Sequence, residues 1–429
     1  MSRKMKDSGI EWIGEVPASW DTVKIKYVAK FINGFAFESE GFNNVDLGIK
    51  VIRIGDFSPV GINFKSALCY ENMDEKLCQY EVMSQDVLVA MSGATVGKLA
   101  FIESKPNFKS LINQRVGIIR SQFAKYIFYW LQAESFSEYS RLNSIGSAQP
   151  NLSSTEIMEF SMPLPQKNEI ETIVEALDKK LTIIDQIIVD SKQSIEELKA
   201  YKQAVITETV TKGLDKNMPM KDSGVEWIRE IPIGWKMNYP KLLFFERKEK
   251  ANSTDTQLTS SQKEGIISQE EYMKITGSRV VVVEKDFSIL KHVEPGDFII
   301  SMRSFQGGLE YSYISGCISS AYVMIASRSK ELTYDEYYKW LFKSTTYIDA
   351  LQSTSQLIRD GQAMRYSNFI KISIPTPSLN EQVEISNYLE RKITEINSII
   401  KCKEKIIDET CNYKSSLIYE YVTGKKEVV

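Results

Sequence analysis

One sixteen-residue stretch occurs twice in this chain, and that repetition limits the available folds more than any other feature. Residues 5–20 read MKDSGIEWIGEVPASW and residues 220–235 read MKDSGVEWIREIPIGW, identical at eleven of sixteen positions with an offset of 215. A second echo runs from 163–211 to 375–423 at an offset of 212. It aligns Pro163, Pro165, Asn168 and Glu169 with Pro375, Pro377, Asn380 and Glu381, and it holds without a gap to Val210-Thr211 and Val422-Thr423. Chance does not keep register over such a length. The chain is a duplicated unit: a tryptophan box, a long middle region and a long C-terminal segment.

The C-terminal segments are predicted as helices. Residues 166–212 contain neither Pro nor Gly, and apolar residues recur at Ile170, Val174, Leu177, Leu181, Ile184, Ile188, Ile195, Leu198 and Val205. Ser191 and Lys202 occupy the two interrupted seam positions. Steps of four and three are the spacing of a coiled-coil seam. The second copy repeats the frame with Leu389, Ile393, Ile396, Ile400, Ile407, Leu417 and Tyr421. Each helix would run roughly 65–70 Å at about 1.5 Å per residue. Asn168 and Asn380 are candidate N-caps. Two long core helices of an α-rich domain are the alternative, but matching places in two repeats favour helices zipped to each other.

The middle regions differ almost everywhere, yet both read as mixed α and β. Asp86–Met91 and Asp297–Met302 are matching strand candidates, and Val51–Ile54, Val116–Ile119 and Val280–Val283 are further β-branched runs. A short aromatic helix is expected around Trp130-Leu131 and around Trp340-Leu341. Gly93, Gly97, Gly307 and Gly308 punctuate the loop after the shared strand. Trp12, Trp20, Trp227 and Trp235 could stack on bases, but their near-identical setting favours docking each box onto its scaffold.

Composition removes most catalytic classes. His292 is the only histidine, which leaves little room for His-based metal centres or Ser-His-Asp machinery. Its place before Val293-Glu294-Pro295-Gly296-Asp297 reads as an ordinary surface or turn residue. The five cysteines are scattered without a C-x-x-C, as expected of reduced thiols in a cytoplasm. No apolar run approaches the ~18 residues of a membrane span, and the start lacks a signal peptide's apolar stretch. Gly93-Ala94-Thr95-Val96-Gly97-Lys98 has three residues between its glycines and Leu99 after the lysine, so it fails as a phosphate-binding loop. Neither a Pro-Pro methyltransferase loop nor a GxGxxG fingerprint is present. The net charge is −3, so any DNA binding needs a local face or a larger assembly. The residues leave three classes open: a DNA-reading protein, a DNA-acting enzyme (methyltransferase or nuclease) with an unrecognised site, and a coiled-coil adaptor for proteins.

The doubled order of motifs resembles the specificity subunit of type I restriction–modification enzymes. The resemblance rests on Asp7-Ser8-Gly9-Ile10-Glu11-Trp12…Trp20 with its copy at 222–235, and on the Pro-x-Pro…Asn-Glu helix starts at 163–169 and 375–381. It also rests on the loops Ser92–Lys98, Gly146–Leu152, Ser301–Gly308 and Ile358–Tyr366. It covers essentially the whole chain. One departure is Gln166-Lys167 after the first prolines, where only the second copy keeps Glu381-Gln382.

The resemblance implies an α+β chain: two mixed α/β target recognition domains separated by two long antiparallel coiled-coil helices, a pseudo-twofold internal repeat. The expected boundaries are 1–165 for the first recognition domain, 166–213 for the first spacer helix and 214–377 for the second recognition domain. The second helix then spans 378–424, followed by a tail at 425–429. It further implies a non-catalytic, cytoplasmic targeting protein that reads a split, asymmetric site in double-stranded DNA. Two methyltransferase subunits and restriction/translocase subunits would be the partners, bringing S-adenosylmethionine, ATP and Mg²⁺; no cofactor is expected on this chain and no membrane. Arg pairs with guanine and Asn or Gln with adenine in the major groove. On that chemistry the candidate DNA-facing residues are Lys98, Asn113, Gln114, Arg115, Gln149 and Asn151 in the first domain. In the second they are Arg303, Gln306, Arg359, Gln362 and Arg365.

With such a seam, helix length sets the distance between half-sites. Inserting one heptad after Ile188 keeps the seam in phase and should lengthen the gap by roughly 10 Å, about three base pairs. Methylome sequencing reads that gap directly; an unchanged spacer would contradict it.

Overall fold

A computed structural model of the chain describes residues 3–43, 48–58, 61–71, 75–143, 151–262, 264–280, 282–283, 287–301, 308–354 and 364–428. The chain divides into two compact units, residues 1–192 with 405–429 and residues 193–404. Two long helices, Lys167–Lys212 and Leu379–Val422, each begin in one unit and end in the other. No described helix is long and apolar enough to cross a membrane.

The tryptophan box folds the same way in both units. Met5–Asp7 pairs antiparallel with Glu15–Pro17, and Met220–Asp222 pairs antiparallel with Glu230–Pro232. The loop between them closes through Gly14 N–H to Ile10 O in one copy and Arg229 N–H to Val225 O in the other. Both positions are left-handed, with φ +68° at Gly14 and +50° at Arg229. The box's last tryptophan is the anchor. Trp20 and Trp235 are fully buried, and their indole N–H groups donate to Glu169 (2.8 Å) and Glu381 (3.0 Å), in the first turn of the following long helix. Their rings also lie against a left-handed glycine that ends the other long helix. A Cβ on Gly424 would fall 2.4 Å from Pro17 and 2.9 Å from Trp20, and one on Gly213 would fall 3.4 Å from Trp235. Each box therefore ties one helix start to one helix end, and the tryptophans dock the box as the sequence indicated. Trp12 stacks on Phe160 at 5.9 Å, and Trp227 donates to Ser373 O.

Inside each unit the two helices run antiparallel along the predicted seam. Ile170, Leu177, Leu181 and Ile184 share a core with Leu417 and Tyr421; Val205 and Val210 share one with Leu389, Ile393 and Ile396. Lys202, the polar interruption in the seam, donates to Asn397 at 2.8 Å, and its repeat counterpart Lys414 meets Asp185 at 2.5 Å. Polar pairs at a seam specify register at some cost in stability. The expected caps move: Lys167 and Leu379 already open the helices, so Asn168 and Asn380 lie within the first turn. In the second copy the cap is Ser378, whose hydroxyl accepts from Glu381 N–H while its own N–H donates to the Glu381 carboxylate. The first copy has Gln166 there, and its glutamate, Glu169, instead meets Arg3, which also stacks on Trp20.

Each middle region holds the same four-stranded antiparallel sheet. Its order is Leu99–Phe101, Val87–Ala90, Val116–Arg120, Lys30–Asn33 in the first unit. In the second it is Glu310–Tyr311, Phe298–Ser301, Tyr322–Ser327, Phe244–Arg247. The central strand of each follows a buried aspartate, Asp86 or Asp297. Asp86 receives both forks of Arg120 at 2.7 Å, whereas Asp297 is met by Arg247 from a different strand of the sheet. Burial raises the Asp297 pKa against the pull of that guanidinium. Helices Ala124–Leu131 and Asp335–Leu341 pack behind the sheets. Tyr126 OH donates to Val422 O (2.8 Å) and Tyr337 OH to Val210 O (2.9 Å), each closing the end of a long helix. Burial pushes both hydroxyls well up, so they remain donors. That equivalence aligns Trp130 with Leu341 rather than with Trp340: Trp130 is buried, while Trp340 lies nearer the surface beneath Lys339.

Two further expectations fail. Val280, Val282 and Val283 join no strand, because the Val283 backbone pairs with the Gln257 side-chain amide in both directions. His292 is not a surface turn residue. It sits on the strand Leu290–Val293, 8% exposed, with Nδ1 2.7 Å from Asp255 and Nε2 2.7 Å from Glu294.

These local conformations have measurable effects. Relieving the left-handed strain by Arg229→Gly should raise stability by about 0.5–1 kcal/mol, and Gly14→Ala should lower it by about as much, read as Tm shifts. For His292, burial works to lower the pKa, but the Glu294 and Asp255 carboxylates outweigh it and hold the value above 6.5. Its contribution to stability is then fully present below pH ~6.5 and lost as pH rises through the raised value. As the only histidine, its NMR titration is unambiguous: a midpoint above 6.5 is expected, falling in Glu294→Gln.

Candidate nucleic-acid interface

The first unit brings several of the expected DNA-facing residues to one cleft. Its lining is Asn33, Met91, Ser92, Gln114, Arg115, Asn151, Leu152, Ser153 and Ser154, around a volume of about 490 Å³. Four chain segments are knitted beneath it by backbone bonds. Asn113 N–H donates to Ile52 O and Val116 N–H to Asn113 O, fixing the turn between two strands. Met91 N–H donates to Arg115 O, and Leu152 N–H to Met91 O. Gly34 is required on the far side, since a Cβ there would fall 2.0 Å from the Asn113 carbonyl.

Side chains above this rigid floor are polar. Gln114, Arg115, Asn151 and Asn33 are exposed. Arg115 Nη1 donates to Ser92 Oγ at 3.0 Å, and Ser92 is itself 3% exposed. Among the described residues lining the cleft, Arg115 is the one that carries a charge. Ser153 acts locally, capping the helix Ser154–Glu159 through a reciprocal pair of bonds with Glu156. An array of amides and hydroxyls with one guanidinium is suited to base edges, which present mixed donors and acceptors.

Other candidates lie elsewhere. Asn113 is half-buried in the floor turn, and its backbone carries the geometry. Lys98 is exposed but lines no part of this cleft; it precedes the edge strand, its carbonyl accepting from Ala90. Arg365 is exposed at the N-cap of the short helix Tyr366–Phe369, where its N–H donates to Asn368 Oδ1. Gln149, Arg303, Gln306, Arg359 and Gln362 lie outside the described residues. Sequence reasoning missed Asn33, since a polar residue at a strand end carries no motif; only the sheet order brings it into the cleft with Asn151.

Register in the two equivalent sheets compares the floor turns directly. Val116 pairs with Ala90, and Tyr322 pairs with Ser301. The preceding residues are Gln114-Arg115 in one unit and Ser320-Ala321 in the other. The frame is held and the side chains it presents are changed.

Comparison with known proteins agrees with this architecture. A family profile described as the type I restriction modification DNA specificity domain matches residues 17–197. The Escherichia coli type I restriction enzyme EcoBI specificity subunit is 24% identical over 443 residues, covering 99% of this chain and 90% of that protein. The Methanocaldococcus jannaschii MjaVIII specificity subunit is 25% identical over 208 residues, 46% of this chain and 47% of that one. Among solved structures, a chain from work on assembly and conformational transition of the type I R-M system superposes with a TM-score of 0.70 at 13% identity, covering 96% of this chain and 99% of that chain. The HsdS subunit of Thermoanaerobacter tengcongensis gives 0.50 at 12% identity, covering 96% and 98%. The doubled box, the paired sheets and a relative aligned along its whole length make the chain similar to the specificity subunits of type I restriction enzymes.

Proposed function

We propose that this chain supplies sequence specificity, and no catalysis, to a type I restriction–modification complex. Each recognition region reads one half of a split, asymmetric double-stranded DNA site. The observation that carries this reading is the pair of floor turns: one sheet frame occurs twice, holding Gln114-Arg115 in one copy and Ser320-Ala321 in the other. Methyl transfer and cleavage then belong to two methyltransferase subunits and to restriction/translocase subunits, which bring S-adenosylmethionine, ATP and Mg²⁺.

The long helices support the partner assignment. Besides the buried seam, each carries a second heptad stripe that faces solvent: Ile187 and Tyr201 on the first, and Ile399, Ile406 and Tyr413 on the second. Ile187 and Tyr201 are the repeat counterparts of Ile399 and Tyr413. Like stripes on like helices suit two identical helical partners, each packing knobs into the same holes.

Charge fits a dependent DNA binder. Residues 1–165 hold 17 basic and 18 acidic side chains, and residues 214–377 hold 21 and 20. A chain so balanced has little of the phosphate attraction that dominates non-specific affinity. The purified chain with labelled S-adenosylmethionine, or with Mg²⁺ and ATP, should neither methylate nor cut DNA, and should bind it weakly. Co-expressed with its methyltransferase subunit, it should impose one split motif on the methylome of the host. Arg359→Ala with Arg365→Ala should relax one half of that motif only, at about 1–3 kcal/mol per lost base contact, and Gln149→Ala with Asn151→Ala the other half. Robust catalysis by the isolated chain would refute the proposal.

A further inference from the structure

Arg115 differs from Arg3, Arg53 and Arg120 of the first unit in how it is held. Arg3, Arg53 and Arg120 each meet a carboxylate: Glu169, Asp56 and Asp86. Among the described residues no carboxylate pairs with Arg115. A side-chain bond runs from Nη1 to the hydroxyl of buried Ser92, and among the described residues it is the one bond of a five-donor fork over the cleft. The backbone beneath is fixed on both sides, by Met91 N–H to Arg115 O and Val116 N–H to Asn113 O. A long side chain tethered at one nitrogen and unneutralised is prepared for an external partner with two acceptors side by side.

Guanine presents such a pair, O6 and N7, on its major-groove edge, and a planar guanidinium meets both. A phosphate would also accept from it. Phosphate-binding faces, however, gather several cations, whereas the neighbours here are Asn33, Gln114 and Asn151, whose amides match base edges. The equivalent turn in the second unit has Ala321 at this register, with no donor on its side chain.

We propose that Arg115 is a specificity-determining residue of the first recognition region, reading a guanine from the major groove. Ser92 is its positioning residue, and the second region has no counterpart at that turn. The inference rests on the DNA-reading function proposed above. It makes a definite statement about the target: one half-site requires a guanine that this one side chain enforces.

The experiment uses the complex of the full chain with its methyltransferase subunits, titrated against DNA libraries randomised in each half separately, at two salt concentrations. Variants are Arg115→Ala, Arg115→Lys, Ser92→Ala and Ser92→Thr, with thermal unfolding of each as a check on folding. The wild type should demand guanine at one position of one half. Arg115→Ala should lower discrimination at that position roughly ten- to hundredfold and leave the other half unchanged. Arg115→Lys should also lose the preference while keeping the salt slope, because a lysine keeps the charge but not the fork. Ser92→Ala should weaken the same preference to a smaller degree, and Ser92→Thr should restore it. A uniform loss over all sequences with a shallower salt slope would make Arg115 a phosphate contact and overturn the proposal. So would unchanged preferences in folded variants. If instead the wild-type complex selects no split sequence at all, it is the function proposed above that fails.

Discussion

A buried indole N–H that must find an acceptor organises this molecule. Trp20 and Trp235 are enclosed completely, and an unpaired donor at such depth would cost about 1–3 kcal/mol. The acceptor is a glutamate in the first turn of a long helix, Glu169 or Glu381, so satisfying the indole also fixes where that helix starts. The ring's other edge lies against a left-handed glycine, Gly424 or Gly213, so it marks where the second helix stops. Sheet, box and both helices are located by one side chain in each copy. This explains why the box is the best-preserved part of the repeat: it plays the same part in both places, and no other residue combines that volume with that single donor.

The frame tolerates change wherever the physical requirement can be met in another way. A buried carboxylate before the central strand needs a cation, and Arg120 supplies it in one copy while Arg247, from another strand, supplies it in the other. The lock glutamate needs a second partner, which is Arg3 for Glu169 and the Ser378 cap for Glu381. In both cases the need survives and the residue that answers it moves. Loops that present side chains to solvent carry no such need and are free to diverge, as Gln114-Arg115 and Ser320-Ala321 have done.

What could be read from the sequence follows the same division. Doubling, the helix seam and the matching strands were legible because they recur with a period or an offset. The long helices cover the predicted seam, and the interruption at Lys202 is an interhelical contact. Gln114, Arg115 and Asn151 stand out by their chemistry, and the fold brings them to one cleft. Features set by long-range pairing were not legible. The burial of His292 depends on Asp255, thirty-seven residues away. The run around Val280 has strand composition, but its backbone is claimed by the Gln257 side chain. Trp130 and Trp340 match by eye, yet the hydroxyl bonds of Tyr126 and Tyr337 align them one residue apart.

The division of the chain into units has a consequence for synthesis. Residues 193–404 form one unit from a continuous stretch, so everything that unit needs has emerged once the second helix is partly made. The other unit takes residues 1–192 and then waits for 405–429. Until those residues leave the ribosome, Tyr126 has no Val422 carbonyl to meet and Trp20 has no Gly424 to cover its ring. The region translated first is therefore completed last. For that interval its apolar face is exposed, the situation in which nascent multidomain chains depend on chaperones.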